Sequence, residues 1–344
     1  MASRVLVIDD SASMRAMLGQ ILASDPELEV VGCAAEPNEA RAMIKELQPD
    51  VLTLDVEMPG MDGLTFLERL MRLRPMPVVM CSTLTARGTD IAIEALRLGA
   101  VDCIAKPSGQ ASALAAQADQ LRQTVKAAAR SRVRSRASEP VPRQTAPGTY
   151  RADMLILVGA STGGVEALFT FLGSLPADAP PVVVVQHMPA AYTQGFAQRL
   201  DGAVPMRVVH GESGQPLRRG EVVIAPGGDY HAEIEGAAGS RLRLVPGPLH
   251  GGHRPAVDRL FHSAVPLGRR VAGVLLTGMG RDGADGLLAL RQAGAATFAQ
   301  SEESCVVYGM PRAAMEIGAA TTQLGLTQLA GAVLGACRSL GSKE

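Results

Sequence analysis

The first third of the chain alternates short apolar runs with stretches whose apolar residues recur every three or four positions. The short runs predict strands, and the longer stretches predict helices. The predicted strands are Arg4–Ile8, Val30–Ala34, Val51–Leu54, Val78–Cys81 and Val101–Ala105. The predicted helices begin near Ser13 and cover Asn38–Leu47, Leu64–Leu73 and Ile91–Leu98. Five strands alternating with helices predict a doubly wound parallel sheet over residues 1–108.

The pattern changes between residues 109 and 150. Ala111–Ala129 predicts a last helix for the first domain. After it, RSRVRSRASEPVPRQTAPGT carries five arginines against one glutamate, and its three prolines disfavour regular structure. We expect a basic, extended linker between domains, and a docking segment for an acidic partner is the alternative.

Strands and helices alternate again over residues 151–344. The predicted strands are Met154–Val158, Val182–Val185, Met206–Val209, Val222–Ala225, Leu242–Val245 and Val271–Leu276. The run Val182–Val185 is apolar throughout, which is typical of a strand buried on both faces. The fold class is therefore predicted as α/β, with two doubly wound parallel-sheet domains joined by a linker.

Composition narrows the function classes. The formal net charge is −1, and only 3% of the residues are aromatic with no Trp, so nucleic acid is not an expected partner. Five scattered cysteines without a CxxC pair favour a reducing compartment over a disulfide scaffold. There is no signal-peptide pattern and no apolar run of about 18 residues, so we expect a cytoplasmic protein without membrane insertion.

Polar residues follow the strands of the first domain. Ligands of doubly wound sheets bind at the carboxyl ends of the strands, so one edge should gather Asp9, Asp10, Asp55, Ser82 and Lys106. Carboxylates that close to each other favour a hard divalent cation such as Mg²⁺, and a carboxylate nucleophile with Mg²⁺ and lysine suits aspartyl phosphate formation. A solvated acidic cluster is the alternative.

In the second domain, a strand leads into the turn GASTG at residues 159–163, which presents Ser161 in the G-x-S-x-G pattern. On the simplest alternative, Ser161 only caps the following helix. His187 and Asp282 also follow apolar strands, so the three side chains would converge if those strands are neighbours. A serine nucleophile needs an imidazole base, and that base needs a carboxylate. The chain order differs from that of α/β-hydrolases.

Other residues compete for these roles. For the acid, Asp282 competes with Asp229, Asp258 and Asp285. The remaining histidines fall in turns or helix-like segments and could be surface or substrate-cleft residues: His210, His231, His250, His253 and His262. Backbone N–H groups in glycine turns suit a tetrahedral oxyanion, and the Thr162 N–H is a candidate, with the loop containing Met279 as a second source.

The motifs VLVIDDSASMR, LTLDVEMPGMDG, VVMCST and Lys106-Pro107 resemble response-regulator receiver domains over residues 3–107. The resemblance implies a flavodoxin-like fold in which Asp55 accepts phosphate from a chemotaxis histidine kinase. It also implies that Asp10, Asp55 and the Glu57 carbonyl hold Mg²⁺, while Ser82 and Lys106 contact the phosphoryl group.

The motifs VGASTGG, VVVVQHMP, APGG, HRPAVD, LLTGMGRDGADG and AQSEESCVVYGMP resemble the bacterial chemotaxis methylesterase domain over about residues 153–335. The resemblance implies a Rossmann-like serine hydrolase with the triad Ser161, His187 and Asp282, with Met279 in the oxyanion region and no cofactor for hydrolysis. It implies demethylation of glutamate methyl esters and deamidation of glutamines on the cytoplasmic domains of methyl-accepting chemoreceptors.

The same resemblance implies that the receiver restrains the hydrolase until Asp55 is phosphorylated. Two other classes of function stay open from the sequence. One is a phosphorylation-controlled binding module with an inactive catalytic domain. The other is a hydrolase that acts on a different ester or amide in a paralogous signalling system.

Overall fold

A computed structural model describes residues 2–56, 58, 63–82, 86–107, 111–131, 133, 149–236 and 241–338. The chain divides into two compact units, Met1–Glu139 and Pro140–Glu344. Most of the predicted linker, including Arg132 and residues 134–148, lies outside the described residues. In the part of the chain that the structure describes, no helix combines the length and apolar character needed to cross a membrane.

The first unit is a parallel sheet with helices between its strands. In its described residues, five strands are arranged in the order β2-β1-β3-β4-β5. The strands are β1 Ser3–Ile8, β2 Leu28–Ala34, β3 Val51–Asp55, β4 Val78–Ser82 and β5 Asp102–Ala105. The helices are α1 Ala12–Ala23, α2 Pro37–Leu47, α3 Gly63–Leu73, α4 Ala86–Arg97 and α5 Ala111–Ala129. This confirms the predicted doubly wound parallel sheet.

Local chemistry sets the helix starts in this unit. The Ser11 hydroxyl accepts a hydrogen bond from the Met14 N–H and caps α1, which begins at Ala12, one residue before the predicted start near Ser13. Strand β3 is buried at every position, as a central strand covered by helices on both faces must be. Its last residue, Asp55, is thereby delivered to the sheet edge.

The second unit contains a larger parallel sheet. Among the described residues, seven strands follow the order β14-β13-β12-β6-β7-β9-β8. The strands of this unit are β6 Leu155–Ala160, β7 Val182–Gln186, β8 Arg207–His210, β9 Glu221–Ile224, β10 Tyr230–Glu235, β11 Arg241–Pro246, β12 Val271–Leu275, β13 Ala296–Gln300 and β14 Thr322–Leu324. The central strands β12, β6 and β7 are neighbours, which was the condition for the proposed convergence.

Helices cover both faces of this sheet. They are α6 Gly164–Gly173, α7 Ala190–Asp201, α8 Val257–Ser263, α9 Ala284–Gln292, α10 Met310–Glu316 and α11 Leu326–Cys337. Short 3-10 helices lie at Val265–Arg270 and Glu302–Ser304. Val257, Leu260 and Phe261 of α8 are fully buried in a core cluster with strand residues of the sheet. This burial fixes the position of α8 beside the carboxyl ends of β6 and β12.

The sequence-based assignment placed one correctly predicted strand in the wrong sheet and missed three others. The segment predicted as Leu242–Val245 belongs to β11, which pairs antiparallel with β10 in a separate two-stranded sheet. Strands β10, β13 and β14 were not predicted. The alternating polar residues of β10 and β11 are what a strand with one solvated face requires.

The cysteines carry no disulfide among the described residues. Cys81, Cys103, Cys305 and Cys337 are buried, whereas Cys33 is exposed. Burial raises the pKa of the Cys305 and Cys337 thiols to about 12, so both remain neutral. The buried cysteines therefore serve as small core residues.

Candidate functional site

Ser161 lies in a tight turn between β6 and α6. Its N–H donates to the Thr277 carbonyl at 3.0 Å, and its carbonyl accepts from the Gly164 N–H at 2.7 Å. Gly163 has a φ of +75°, and an added Cβ would lie 2.5 Å from the Val306 Cβ, so the turn requires glycine here. Gly163, not Ser161, occupies the N-cap position of α6. The helix-cap interpretation of Ser161 is therefore wrong.

His187 follows the strand next to that of Ser161. Ala160 and Gln186 are partners in the ladder between β6 and β7, and the His187 N–H donates to the Ala160 carbonyl at 3.0 Å. Ser161 and His187 thus leave the sheet side by side. The parallel pairing of β6 and β7, rather than any local motif, brings both residues to the same edge of the sheet.

Asp282 lies 2.8 Å from His187, measured from the carboxylate Oδ2 to the imidazole Nε2. The carboxylate also accepts from two backbone N–H groups, those of Val257 at 2.7 Å and Asp258 at 3.0 Å. Burial alone would raise the pKa of the Asp282 carboxyl, but the hydrogen bonds from His187 and the backbone lower it below its ordinary value. Asp282 is therefore an anion that holds one nitrogen of the His187 ring.

The second nitrogen of His187 has a different environment. Its Nδ1 atom is buried and has no hydrogen-bond partner among the described residues, so no hydrogen bond joins the Ser161 hydroxyl to it. In the chymotrypsin triad, Nδ1 bonds the aspartate and Nε2 faces the serine. Here Nε2 bonds the aspartate, which leaves Nδ1 as the nitrogen available for proton transfer.

Asp258 and Asp282 cap each other's helices. Asp282, which precedes α9, accepts N–H groups of the first turn of α8. Asp258, in the first turn of α8, accepts the Gly286 N–H of α9 at 2.7 Å. Burial raises the pKa of the Asp258 carboxyl. The two helices therefore exchange carboxylates at their N-termini.

The other competing acids have surface roles. Asp285 forms an exposed ion pair with Arg281 at 3.0 Å, and the largely exposed Asp229 accepts from Arg254 at 2.9 Å. The partner of each of these two carboxylates is therefore an arginine and not a histidine. The geometry therefore favours Asp282 among the acids that the sequence left open.

Thr277 lies between the two segments that were predicted to supply oxyanion donors. Its buried hydroxyl bonds the Thr162 carbonyl at 3.0 Å and the Val307 carbonyl at 3.1 Å, and it accepts from the Val307 N–H at 2.9 Å. One side chain thus ties the Ser161 turn to the strand end of β12 and to the loop at residues 305–309.

The loop that carries Met279 packs closely against the Ser161 turn. A Cβ added to Gly278 would lie 2.7 Å from the Ser161 Cβ, so this approach requires glycine. The Gly278 carbonyl accepts from the N–H groups of Gly309 and Met310 at 3.0 and 2.8 Å. The Met279 N–H donates no hydrogen bond to any described residue. Its peptide lies in a fixed loop beside the nucleophile turn.

Two further histidines support the site, and the sequence did not identify their roles. His253 stacks on His187 with ring centroids 3.7 Å apart and planes 6° apart. His231 was placed in a turn or helix-like segment, which is wrong because it is buried within β10. Its Nδ1 accepts the Ala256 N–H at 3.2 Å, and its Nε2 bonds the Pro248 carbonyl at 2.8 Å.

The acidic edge of the first unit has a simpler arrangement. Lys106 Nζ lies 2.8 Å from an Asp9 oxygen and 2.7 Å from an Asp55 oxygen. Burial opposes the lysine charge, but hydrogen bonding to Asp55 and Asp9 outweighs it and raises the pKa of Lys106. Ser82 is buried at the end of β4, and its carbonyl accepts the Lys106 N–H at 2.9 Å.

These residues fit a hard divalent cation. Carboxylate oxygens of Asp9, Asp10 and Asp55 lie within 4.8 Å of one another. Together with Lys106, the three carboxylates sum to two negative charges, which matches the charge of Mg²⁺. Glu57, whose carbonyl was expected to complete the site, lies outside the described residues.

Two family models match the chain. The model described as CheB methylesterase matches residues 156–333, and the model described as response regulator receiver domain matches residues 5–118. The first match includes Ser161, His187 and Asp282, and the second includes Asp55 and Lys106.

Relatives match over nearly the full length. A protein-glutamate methylesterase/protein-glutamine glutaminase 1 of Caulobacter vibrioides is 51% identical over 96% of this chain and 97% of the relative. A protein of the same name from Dechloromonas aromatica is 50% identical over 97% of this chain and 98% of its own length. The crystal structure of the Thermotoga maritima CheB methylesterase catalytic domain covers 55% of this chain and 99% of that domain, with a TM-score of 0.51 and 33% identity.

Proposed function

This chain belongs to the CheB methylesterase family, and we propose that Ser161 hydrolyses glutamate methyl esters under the control of a phosphorylated receiver. Its enzyme class is the one named for those relatives, protein-glutamate methylesterase and protein-glutamine glutaminase. The observation that carries the residue assignment is the buried pair of His187 and Asp282, which lies at the sheet edge beside the Ser161 turn.

The proposed reaction proceeds through an acyl-enzyme. The Ser161 oxygen attacks the ester carbonyl while His187 Nδ1 takes its proton, and the imidazolium is stabilised by Asp282. The same proton passes to the leaving methoxide, which departs as methanol. Water then attacks the acyl-enzyme with His187 as base, so glutamate and free Ser161 result. On glutamine, the same steps release ammonia.

The tetrahedral intermediates need donors for their negative oxygen. We assign this role to the backbone N–H groups of Thr162 and Met279. The Thr277 hydroxyl bonds the Thr162 carbonyl, and the Gly278 carbonyl holds the Met279 loop through the N–H groups of Gly309 and Met310. Donors that are fixed before the reaction need no reorganisation when charge develops, which is where such sites gain their effect.

The receiver is proposed to control this chemistry through Asp55. Asp55 would accept phosphate from a chemotaxis histidine kinase, with Lys106 and Ser82 contacting the phosphoryl oxygens. Asp10 and Asp55, with the Glu57 carbonyl, would hold Mg²⁺, and Asp9 would assist. When bound, Mg²⁺ supplies neutralisation of the charge on the carboxylates and phosphoryl oxygens. Activation requires the phosphorylated receiver to favour the active state of the enzyme.

The proposed substrates are the cytoplasmic domains of methyl-accepting chemoreceptors, and the proposed setting is chemotactic adaptation in the cytoplasm. Support comes from the family, since its name describes methylesterases and its relatives are named for glutamate and glutamine residues of proteins.

Methanol release from methylated receptor tests the catalytic assignment. Ser161→Ala should reduce the rate by roughly 10⁴-fold or more, because a triad without its nucleophile retains only the contribution of binding and oxyanion donors. Unchanged thermal unfolding would show that the variant is folded. Persisting methanol release would refute Ser161 as the nucleophile.

A serine-directed fluorophosphonate separates an enzyme from a binding module. Labelling should occur at Ser161 in the wild type and be lost in Ser161→Ala.

Acetyl phosphate with Mg²⁺ tests control by the receiver. It should raise methanol release from the wild type by about tenfold, which is the usual range of allosteric coupling, and should leave the rate of Asp55→Asn unchanged. Equal rates with and without the phosphodonor would contradict receiver control while leaving the hydrolase assignment intact.

A further inference from the structure

His253 presents a flat face to His187. The two rings are parallel within 6° at a centroid distance of 3.7 Å. The His253 ring donates or accepts no hydrogen bond among the described residues. Its contact with the site is therefore the stack on His187 itself.

The segment that carries His253 is held firmly on both sides. The backbones of His250 and His253 exchange two hydrogen bonds of 3.0 Å. Arg254, the next residue, donates to the Gly228 and Gly247 carbonyls at 2.6 and 2.7 Å. The backbone position of His253 is thus set by contacts that are independent of His187.

The buried His231 secures the same segment from below. It bonds the Pro248 carbonyl and the Ala256 N–H with its two ring nitrogens. Both ends of the segment are therefore attached to β10 and its neighbouring turn. A ring mounted in this way can act as a fixed wall.

The orientation of the His187 ring requires a second contact of this kind. It has one hydrogen bond, from Nε2 to Asp282, and a single bond of this kind does not fix the rotation of the ring about its own axis. Its Nδ1 atom has no partner among the described residues before substrate binds. A parallel neighbour at van der Waals distance restricts this rotation and keeps Nδ1 in one direction.

The His253 ring carries no charge near neutral pH. Burial, and to a smaller extent the neighbouring His187, lowers the pKa of His253 to about 4. The stacked ring therefore does not repel the imidazolium that His187 becomes during acyl transfer. A neutral aromatic face under a cation is instead favourable.

We propose that His253 is a positioning residue that holds the plane of the His187 ring by stacking, so that Nδ1 faces the Ser161 hydroxyl. The inference rests on the proposed role of His187 as the base. Because misplacement of a reacting group by about 1 Å can reduce a rate by 10²-fold, loss of the stack should act on kcat.

Three substitutions separate stacking from hydrogen bonding to the substrate. His253→Phe keeps a flat ring without nitrogen atoms, His253→Gln keeps donor and acceptor atoms without a ring, and His253→Ala keeps neither. The exposed His262 on α8 supplies the matched control, His262→Ala, which should leave the rates unchanged. Each full-length variant is assayed after acetyl phosphate treatment, and its thermal unfolding is recorded.

The stacking role predicts that His253→Ala and His253→Gln lose about tenfold or more in kcat, with KM within about twofold of wild type. His253→Phe should exceed His253→Ala by about tenfold in kcat. Fluorophosphonate labelling of Ser161 should fall in the same order, since the small reagent does not depend on receptor contacts.

The opposite pattern overturns the proposal. Activity in His253→Gln together with loss in His253→Phe would make His253 a hydrogen-bonding residue for the substrate. If all three folded variants kept the wild-type kcat, a positioning role would be refuted. The same holds if all three lost kcat to the same extent. Wild-type methanol release that disappears in Ser161→Ala shows in the same experiment that the hydrolase assignment stands, whichever result the His253 variants give.

Discussion

The two units place their chemistry in the same part of the fold but stabilise it in different ways. In each, polar side chains follow neighbouring parallel strands, β1, β3, β4 and β5 in one and β6, β7 and β12 in the other. At the receiver edge, the carboxylates of Asp9, Asp10 and Asp55 lie close together, and Lys106 is paired with Asp9 and Asp55. At the proposed catalytic edge, Asp282 accepts hydrogen bonds from two backbone N–H groups and lies 2.8 Å from His187 Nε2.

This difference corresponds to two uses of one architecture. The receiver carboxylates repel each other unless cations offset their charge, so we propose that this edge responds to ion binding and to phosphorylation. The Asp282 carboxylate, the proposed catalytic acid, is instead stabilised by hydrogen-bond donors that are part of the fold. A switch benefits from the first arrangement, and a preorganised active site benefits from the second.

Removal of the Asp282 charge should have the largest effect. Asp282→Asn would place an amide beside His187 and remove the anion that stabilises the imidazolium. Methanol release should fall by about 10⁴-fold, as for a triad aspartate. The neighbouring Asp285→Asn, on the exposed ion pair with Arg281, is the matched control and should retain wild-type rates. A loss below about tenfold in Asp282→Asn would contradict the comparison.

Chelation of metal should affect one edge and leave the other unchanged. With EDTA, phosphorylation of Asp55 by acetyl phosphate should fall to background, because its carboxylate cluster then lacks the compensating cation. Fluorophosphonate labelling of Ser161 in the unphosphorylated chain should proceed at the same rate with or without EDTA. Labelling that requires Mg²⁺ would refute the view that the catalytic edge is complete without an ion.

Loss of the Thr277 hydroxyl tests the role of internal donors. Thr277→Val preserves the shape of the side chain but removes the bonds to Thr162 and Val307. We expect kcat to fall about tenfold, less than the 10²-fold or more for deletion of an oxyanion donor, because both N–H groups remain but shift. Thr277→Ser should restore most of the rate. Equal rates in Val and Ser variants would exclude a role for the hydroxyl.

Asp258 should give the smallest effect. The pKa of its carboxyl is raised in the fold, so the folded state gains stability relative to the unfolded state as pH falls through that pKa. Asp258→Asn should remain within about 0.5 kcal/mol of wild type at pH 7, since the amide oxygen still accepts the Gly286 N–H. Asp258→Ala should lose about 1 kcal/mol or more. Urea unfolding followed by circular dichroism measures both, because the chain has no Trp.

The pattern of the sequence predicted the parts of the site that depend on strand ends. Ser161, His187 and Asp282 follow apolar runs, and parallel sheets bring such positions to one edge. The adjacency of β12, β6 and β7 was a condition that periodicity alone does not decide. The antiparallel pair β10–β11 was missed because its half-solvated strands alternate with polar residues and lie outside the main sheet.

The contacts that orient the site were beyond sequence reasoning for a different reason. His253 meets His187 across 66 positions of chain, and Thr277 reaches Thr162 across 115. These contacts depend on how the loops pack against the sheet, and no local spacing of residues predicts them. For His253, the only signal in the sequence was the residue type itself, a histidine in a segment rich in glycine and proline.

The exchange of carboxylates between α8 and α9 has a consequence for how this domain tolerates change. Because each acid caps the other's helix, damage to either one loosens both, and the second loss then removes less than it would alone. The positions of Asp258 and Asp282 are therefore expected to be epistatic, with a double-mutant cycle that departs from additivity. Substitution of Asp282 is therefore expected to disturb the packing of both helices in addition to the proposed catalysis.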